Sequence, residues 1–361
     1  MNAKIFVSLV LYNSLQSHSE RAIERSITSV LEQEFFKLGQ NLKFSIIDNA
    51  STDQSADFVE QRFSSLRAFI TRNSHNLGFC GAHNQAVTEF LSSDSDYFLL
   101  INPDLRLEPS ALKLMLASFE TSSEIGMVTP KIIQADLNLD ADRQPKLDAA
   151  GMEIFNTLRH FDRGQGSSIQ QYQEPEFVFG GTGACLLISR ACICDLLLPS
   201  LANDVLLNRV YPALFDRARK QLLDEAFFAY REDADLAWRA LLFGWKTFYQ
   251  PQALAYHRRV VKSDNRAELS PELNLLGVKN RFLLQINNLT WPVVVKTFWS
   301  GLVIRNSLVL AAIIVRERSS FRALLQLWKL LPRALEVRRY VQAKARQRQS
   351  IKNECVSRYF K

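Results

Sequence analysis

The feature that most constrains this chain is the run Phe98-Leu99-Leu100-Ile101, which stops abruptly at Asn102-Pro103-Asp104. A short, uninterrupted apolar segment bounded by turn residues reads as a strand buried on both faces, the kind found inside a parallel sheet. Ligands of open α/β sheets bind just beyond the carboxyl ends of such strands. Asp104 therefore falls where an oxygen-seeking cation and a diphosphate can be held. Taken alone, it reads more readily as an aspartate that stabilises a turn.

The surrounding pattern repeats the theme. Residues 4–12 read as a first strand and 13–18 as a loop. Residues 19–34 read as a helix capped by Ser19, with Ile23, Ile27, Val30 and Leu31 at helical spacing. A second strand spans 44–47 and ends at Asp48-Asn49; Ser51-Thr52-Asp53 opens the next helix. A third strand covers 68–70, a glycine turn 77–81 and a helix 82–91. Strands alternating with helices in this way predict right-handed βαβ units. Residues 130–180 read as polar and loop-rich, with Gly151, Gly164 and Gly166. Residues 177–179 lead through Gly180-Gly181-Thr182-Gly183 into a strand at 184–188. Residues 227–245 carry an acidic cluster and a helix that stops at Gly244, and two short strand-like pieces follow at 247–249 and 254–256. From about 266 onward the pattern is helical.

Charge is unevenly spread. Residues 316–361 hold 13 Lys/Arg against 3 Asp/Glu, a net of +10, whereas the whole chain is +7 and residues 1–315 carry −3. A basic tail predicts an anionic surface as partner, here lipid headgroups rather than nucleic acid. Cys80, Cys185, Cys192, Cys194 and Cys355 form no paired framework and no zinc spacing, which suits a reducing cytoplasm. The apolar run at 5–11 is too short for a signal-peptide core.

Residues 291–315 are strongly apolar but contain Lys296 and Arg305, which an α-helical repeat places on opposite faces. With no run of about 18 uncharged residues, the pattern argues against a membrane-crossing helix. Phe321, Leu324, Leu325, Trp328, Leu331 and Leu335 then recur at helical spacing among Arg322, Lys329, Arg333 and Arg338, with a kink expected at Pro332. Such a helix suits the surface of an anionic bilayer, with packing on the protein body or a contact in a homodimer as other uses of the same face.

Four polar clusters follow strands or open helices: 48–53, 102–104, 231–235 and 257–259. No GxGxxG follows the first strand and no phosphate-binding lysine loop is present, so dinucleotide and P-loop NTPase readings lack their mechanism. Asp48, at a strand end, can accept from a base or ribose. Asp104 and His257 can share a divalent metal that neutralises charge on a leaving diphosphate.

These motifs resemble family 2 glycosyltransferases of GT-A fold, particularly the bacterial rhamnosyltransferase-like branch. The likeness covers residues 4–260 and is carried by Tyr12-Asn13, DNASTD at 48–53, NLGFCGAHNQA at 76–86, LLINPDL at 99–105, FGGTGACLLISR at 179–190, DEAFFAYREDADLAWR at 224–239 and Tyr256-His257. The resemblance implies an α/β fold with a mostly parallel central sheet flanked by helices and a helical C-terminal extension. It divides the chain into a catalytic domain at 1–265, with a nucleotide-sugar half at 1–130 and an acceptor half at 131–265, and a helical basic region at 266–361.

By the same resemblance Tyr12, Asp48 and Asp53, with Asn13 and Asn49 beside them, contact the nucleotide, Asp48 reading a pyrimidine base. Asn76, Gly78, Phe79 and Asn84 line the nucleoside and sugar. Asp104 is the last acid of the metal motif and His257 its late partner. Asp233 is the general base, with Glu232 as the alternative. Gly180, Gly181 and Gly183 form a loop where backbone approaches donor sugar and acceptor. Asn102 departs from the family pattern, since it offers only a neutral oxygen where an aspartate is usual.

The implied reaction is inverting transfer of a sugar, rhamnose by branch, from a dTDP-, UDP- or GDP-sugar. It uses Mg²⁺ or Mn²⁺ and delivers the sugar to a glycan or lipid-diphosphate-linked acceptor in cell-surface polysaccharide synthesis. Such a transfer needs one base at the acceptor hydroxyl and one cation on the diphosphate, and no second carboxylate as in glycoside hydrolysis. The expected location is the cytoplasm, peripheral on the inner face of the plasma membrane. Two other readings use the same architecture: a non-catalytic sugar- or membrane-binding assembly partner, favoured by Asn102, and a sugar nucleotidyltransferase, disfavoured because Tyr12-Asn13-Ser14-Leu15 is not a glycine-rich basic loop.

Overall fold

A computed structural model describes residues 3–141, 143–214, 219–259, 271–315, 321–348 and 356–361. The strands are β1 (Ile5–Leu11), β2 (Leu42–Asp48), β3 (Ile70–Arg72), β4 (Tyr97–Ile101), β5 (Leu105–Leu107), β6 (Ile125–Gln134), β7 (Leu147–Ala149), β8 (Met152–Ile154), β9 (His160–Asp162), β10 (Glu176–Val178), β11 (Cys185–Ser189) and β12 (Lys246–His257). Ten of them form one sheet whose main path runs β10-β12-β6-β11-β4-β1-β2-β3, while β8 and β9 pair separately. The pairs β1–β2, β1–β4, β2–β3 and β6–β12 are parallel, and β11 runs antiparallel between β4 and β6.

The α-helices are α1 (Ser14–Ser17), α2 (Glu20–Leu31), α3 (Ser55–Arg62), α4 (Gly78–Ser92), α5 (Ala111–Phe119), α6 (Arg190–Leu196), α7 (Leu207–Val210), α8 (Glu232–Phe243), α9 (Pro271–Asn288), α10 (Trp291–Thr297), α11 (Asn306–Val315) and α12 (Phe321–Gln347). Alternation in β1 sorts the core by face. Ile5, Val7, Leu9 and Leu11 join one apolar cluster and Phe6 the other, so the sheet is buried on both sides. Ser19 caps α2 by accepting from the Ala22 N–H, as its position predicts.

Several expectations shift. The loop at 13–18 contains the short helix α1, entered through a left-handed Asn13 (φ 46°). Ser51-Thr52-Asp53 does not begin the next helix, which starts at Ser55 after a left-handed Gln54. Residues 227–231 are not helical; α8 starts at Glu232. The start of the supposed loop-rich stretch belongs to β6, a ten-residue strand buried over nearly its whole length. Thr129, Pro130 and Lys131 disguise it. The two polar side chains are buried, and the Lys131 ammonium is satisfied by the carbonyls of Ile169 and Gln171. Pro130 faces the register shift between Gln250 and Leu254 of β12, a bulge where a missing N–H is tolerated. That bulge also joins the two strand-like pieces at 247–249 and 254–256 into one strand.

Residues Trp291–Val315 form one continuous helical stretch of mean hydropathy 1.8, long and apolar enough by length and composition to cross a membrane, contrary to the sequence expectation. Its middle, Phe298–Arg305, is π-helical. The phase that placed Lys296 and Arg305 on opposite faces therefore does not carry through it. Pro332 lies inside α12, which continues through it. The C-terminal helices share an apolar cluster with the sheet-bearing body: Leu283, Leu284, Leu330, Ala334 and Val337 pack with Leu222, Phe227 and Trp238.

Gly78 opens α4 with φ +71°, and a Cβ there would penetrate the carbonyl and ring of Phe228. The Gly78→Ala variant is expected to lose about 2–4 kcal/mol from combined strain and overpacking, read as a lowered midpoint in urea denaturation; an unchanged midpoint would contradict the close approach.

Candidate active site

The carboxyl ends of β1, β2 and β4 converge on one edge. Beyond β1, Tyr12 is half exposed, and Asn13 ties the turn to the next loop by donating its N–H to Ser51 Oγ (3.0 Å) and accepting from the Thr52 N–H (2.8 Å). Asp48 closes β2. It is buried and accepts from the Ser51 N–H with one carboxylate oxygen (3.2 Å). Asn49 braces the segment opening α4: its amide donates to Asn76 Oδ1 (2.9 Å) and its Oδ1 accepts from the Leu77 N–H (2.9 Å). Asn76 Oδ1 also accepts from the Gly78 N–H (2.8 Å). Asp53 receives the Gln16 N–H (2.9 Å) and the Ser55 hydroxyl, so it holds α1 against α3.

Asn84 departs from its expected place. It is wholly buried, and its amide is spent on the 222–225 segment, donating to Leu223 O and Glu225 Oε1 and accepting from the N–H groups of Leu222 and Leu223. Its work is to bind α4 to the loop that carries the acids.

Past β4, Asn102 spends its backbone on Ala184 O and the Ser26 hydroxyl. Asp104 and His257, which lies at the end of β12, come together with Asp104 Oδ1 3.4 Å from His257 Nε2. His18 Nε2, which the sequence reading passed over, stands 3.6 Å from the other Asp104 oxygen. On its far side His257 Nδ1 meets Asp148 Oδ2 at 2.8 Å, and Arg259 Nε donates to Asp148 Oδ1 at 2.8 Å. Burial works against a charged imidazole, yet Asp104 and Asp148 together hold the His257 proton up to about 10. Burial also opposes a charged Asp104, but His257 and His18 keep its carboxyl below the ordinary range.

Asp104 and His257 could hold a divalent cation if the metal took the place of the Nε2 proton between them, since a ligating imidazole must be deprotonated. A carboxylate on Nδ1 fixes the imidazole with Nε2 aimed at the ligand position, the usual support of a metal-binding histidine. The set is small, since no cluster of three or more His, Cys, Asp or Glu suited to a metal occurs among the described residues. Oxygens of a diphosphate and water would have to complete the coordination shell.

The acidic loop lies across the sheet edge, where Phe228, Tyr230 and Arg231 are all left-handed (φ 67°, 69° and 71°). A non-glycine residue in that region costs energy and persists only when its surroundings enforce it. The enforcing groups come from α9. The buried Asn280 amide donates to the carbonyls of Phe227 (2.9 Å), Ala229 (2.7 Å) and Tyr230 (2.7 Å), and the Lys279 ammonium to Ala226 O and the Tyr211 hydroxyl. Burial lowers the Lys279 pKa to about 7. Sequence pattern could not reveal these residues, because a lysine–asparagine pair in a helix carries no local sign of a loop some 50 positions away.

The loop delivers Glu232 and Asp233 at the first turn of α8. Asp233 Oδ2 accepts from the Gly183 N–H (3.2 Å) and Oδ1 from the Ala234 N–H (2.7 Å). Glu232 is the more buried of the two, and its Oε2 has no hydrogen-bond partner among the described residues. Burial, then the neighbouring Asp233 charge, pushes the Glu232 pKa well up; burial raises that of Asp233 also. Gly183 lies beside Phe79 and Glu232. Gly180 and Gly181 serve packing instead: a Cβ on the first would strike Ala237 and Met152, and on the second Leu186 and Thr129. Trp238 and Arg239 are core residues, the latter 3.6 Å from Asp235.

An α/β sheet thus carries a carboxylate–imidazole pair at its carboxyl edge and an acidic helix start across from it. Residues 7–193 match the family model "Glycosyl transferase family 2", and the chain belongs to that family. Its fold is GT-A. GalNAc-T7, solved with UDP, GalNAc and Mn²⁺, shares the fold with a TM-score of 0.54 at 12% identity, over 79% of this chain and 48% of that one. The chain thus spans about half the length of that structure. A mannosyltransferase from Pyrobaculum calidifontis, PcManGT, in complex with GDP-Man and Mn²⁺ aligns with a TM-score of 0.49 at 13% identity over 96% and 87% of the two chains. S. aureus TarS 1-349 in complex with UDP-GlcNAc aligns with a TM-score of 0.49 at 14% identity over 98% and 90%. No curated protein matches the chain.

Because Asn280 is the common donor to three carbonyls of the left-handed loop, Asn280→Ala is expected to cost about 2–3 kcal/mol of stability. It should lower kcat about tenfold or more through misplacement of the acids, while nucleotide affinity stays near wild type. Chemical denaturation and steady-state kinetics check both; an unchanged kcat would dissociate the loop from the reaction.

Proposed function

We propose that this glycosyltransferase moves a sugar from a nucleotide-diphosphate donor to an acceptor hydroxyl with inversion. One observation carries the reading: the Asp104–His257 pair stands at the carboxyl edge of β4 and β12, while Asp233 is anchored by Gly183 at the mouth of α8. Mg²⁺ or Mn²⁺ held by Asp104 and His257 would supply positive charge to the leaving diphosphate; Mn²⁺ and UDP in the GalNAc-T7 structure, which shares the fold, support this. Tyr12, Asp48 and the Asn49–Asn76 brace hold the nucleoside, with a pyrimidine base on Asp48. Asp233 takes the acceptor proton. Burial has raised its pKa toward the working pH, as general-base catalysis favours. Glu232, with its free buried oxygen, is the alternative base. The sugar we favour is rhamnose, from a dTDP donor, and the acceptor is a glycan or a lipid-diphosphate-linked glycan of the cell surface.

Two substitutions separate the roles. Asp104→Ala is expected to abolish the metal-dependent thermal stabilisation given by the cognate nucleotide. Asp233→Asn should retain that stabilisation but lose about 10²–10⁴-fold in kcat; if Glu232→Gln shows the larger loss, the two acids exchange roles. Since the base must be unprotonated and burial raises its pKa, the acid-side fall of activity is expected at a higher pH than an ordinary aspartate would give, and to move in Asp233→Glu. No transfer from any dTDP-, UDP- or GDP-sugar would leave the non-catalytic reading in its place.

We also place the enzyme on the cytoplasmic face of an anionic membrane. Three of the five tryptophans are exposed, Trp291 at 76%, Trp299 at 71% and Trp328 at 73%, all on the C-terminal helices. Phe298, Ile304, Leu308, Phe321 and Leu325 are exposed with them, and Arg322 and Lys329 flank Trp328 and its neighbours. Aromatic and aliphatic residues rimmed by cations match the headgroup boundary. The opposite face of α12 packs on the body through Ala323, Leu330, Arg333 and Val337, so one helix serves both uses. Flotation with phosphatidylglycerol vesicles is expected to be weakened by about tenfold or more in Trp299→Ala/Trp328→Ala and reduced by salt; wild-type flotation by the double variant would remove the bilayer as occupant.

A further inference from the structure

We propose that residues 356–361 are a strap that positions Asp233, bracing both the helix and the glycine loop between which that carboxylate is held. This rests on the reading of Asp233 as the base at the acceptor.

Asp233 is fixed from two sides. Its own helix, α8, supplies the Ala234 N–H, and the loop after β10 supplies the Gly183 N–H. The two sides meet in a pair of rings: Phe179, just ahead of Gly180, lies edge to face with Trp238 of α8, centroids 6.5 Å apart. Phe360 packs edge to face on the same indole at 5.1 Å and is only 2% exposed. The next residue pairs with β8: the Lys361 N–H donates to Ile154 O (3.0 Å), and its carbonyl accepts from the Asn156 N–H (2.7 Å). β8 in turn holds the glycine loop. The Met152 N–H donates to Gly180 O at 2.7 Å, and Gly180 is wedged between Met152 and Ala237 of α8. The strap therefore reaches the helix through Trp238 and the loop through β8.

Ordering six residues costs conformational entropy, which only contacts with fixed partners offset. Phe360 and Val356 are buried. Lys296, on α10, donates to Ser357 O (2.9 Å) and Phe360 O (2.6 Å), and the Lys361 ammonium reaches Glu153 Oε2 (2.7 Å). Lys296 is one of the two cations that interrupt the apolar stretch at 291–315, and its charge is spent on the carbonyls of the strap. The brace acts on one side of the sheet. Phe179, Trp238 and Phe360 share one apolar cluster, whereas Leu9, Leu11, Ile46 and Ile101, near the ends of the strands that lead to Asp48 and Asp104, belong to the other. Loosening the strap thus shifts the base and spares the nucleotide edge. Displacing a reacting group by about 1 Å is enough to cost about 10²-fold in rate.

The test compares wild type with a chain lacking 357–361, with Phe360→Ala and with Lys296→Gln, by hydrogen exchange and steady-state kinetics. Loss of the strap is expected to speed exchange about tenfold or more over 180–184 and 232–238, with β1, β2 and β4 as in wild type. The kcat for transfer should fall about tenfold or more, while KM for the nucleotide sugar stays within about twofold. Lys296 is exposed, so its variant decides the matter if the other two do not fold. Wild-type exchange over 180–184 and 232–238 in Phe360→Ala and Lys296→Gln overturns the strap, as does exchange that speeds up equally throughout the sheet. Faster exchange confined to those two segments with an unchanged kcat also overturns it, because Asp233 would then not depend on the brace. The same confined change in a chain that transfers no sugar from any donor keeps the brace and overturns the function.

Discussion

Much of the architecture hangs on one buried guanidinium. Arg333, from the middle of α12, donates to Asp204 (2.8 Å), Asp224 (2.6 Å) and Gln221 (3.0 Å). Asp224 also accepts from Asn287 of α9 (3.1 Å) and from the Ala226 N–H (3.0 Å). Asp235, one turn into α8, accepts from Asn288 (2.6 Å). Removing one partner from a buried charge network of this kind typically costs about 3–5 kcal/mol. The C-terminal helices are thereby fixed to the 221–235 segment, and only with them in place is the left-handed turn before Glu232 enforced. A tail that looks like a basic appendage in the sequence is the scaffold on which the acids are mounted.

A second polar path spans the site itself. From Asp104 it runs through His257, Asp148 and Arg259 to Asp162, then along β9 to His160 and Arg231. Burial raises the Asp162 pKa to about 6, against the pull of Arg259. The path links the Asp104–His257 edge to the loop that carries Glu232 and Asp233. Both halves of the proposed reaction are therefore set on one rigid network of side chains rather than on independent loops.

The exposed tryptophans gain meaning from their neighbours in the chain. Arg305 belongs to the same helical stretch as Trp291 and Trp299, and Arg281 belongs to the helix whose Asn280 shapes the acidic loop. The exposed aromatic stretch and the helix that shapes the acidic loop are thus consecutive in the chain.

The sequence by itself determined the βαβ layout, the buried strand ending at Asp104, and the family to which the chain belongs, because apolar periodicity and short motifs are local properties. It also marked Asp48, Asp104, Glu232, Asp233 and His257. Tertiary structure decided what lies between them. Asp148 orients His257 across 109 positions and Asn280 shapes a loop about 50 positions away; neither relation leaves a trace in spacing. β6 was hidden because Thr129 and Lys131 find buried partners that composition does not show. Asn84, Gly180 and Gly181 read as donor-side residues, yet their surroundings spend them on packing and loop support. Motifs report which chemistry a chain carries; the distances that bring its groups together, and the buried pairs that hold them there, exist only once distant segments have packed.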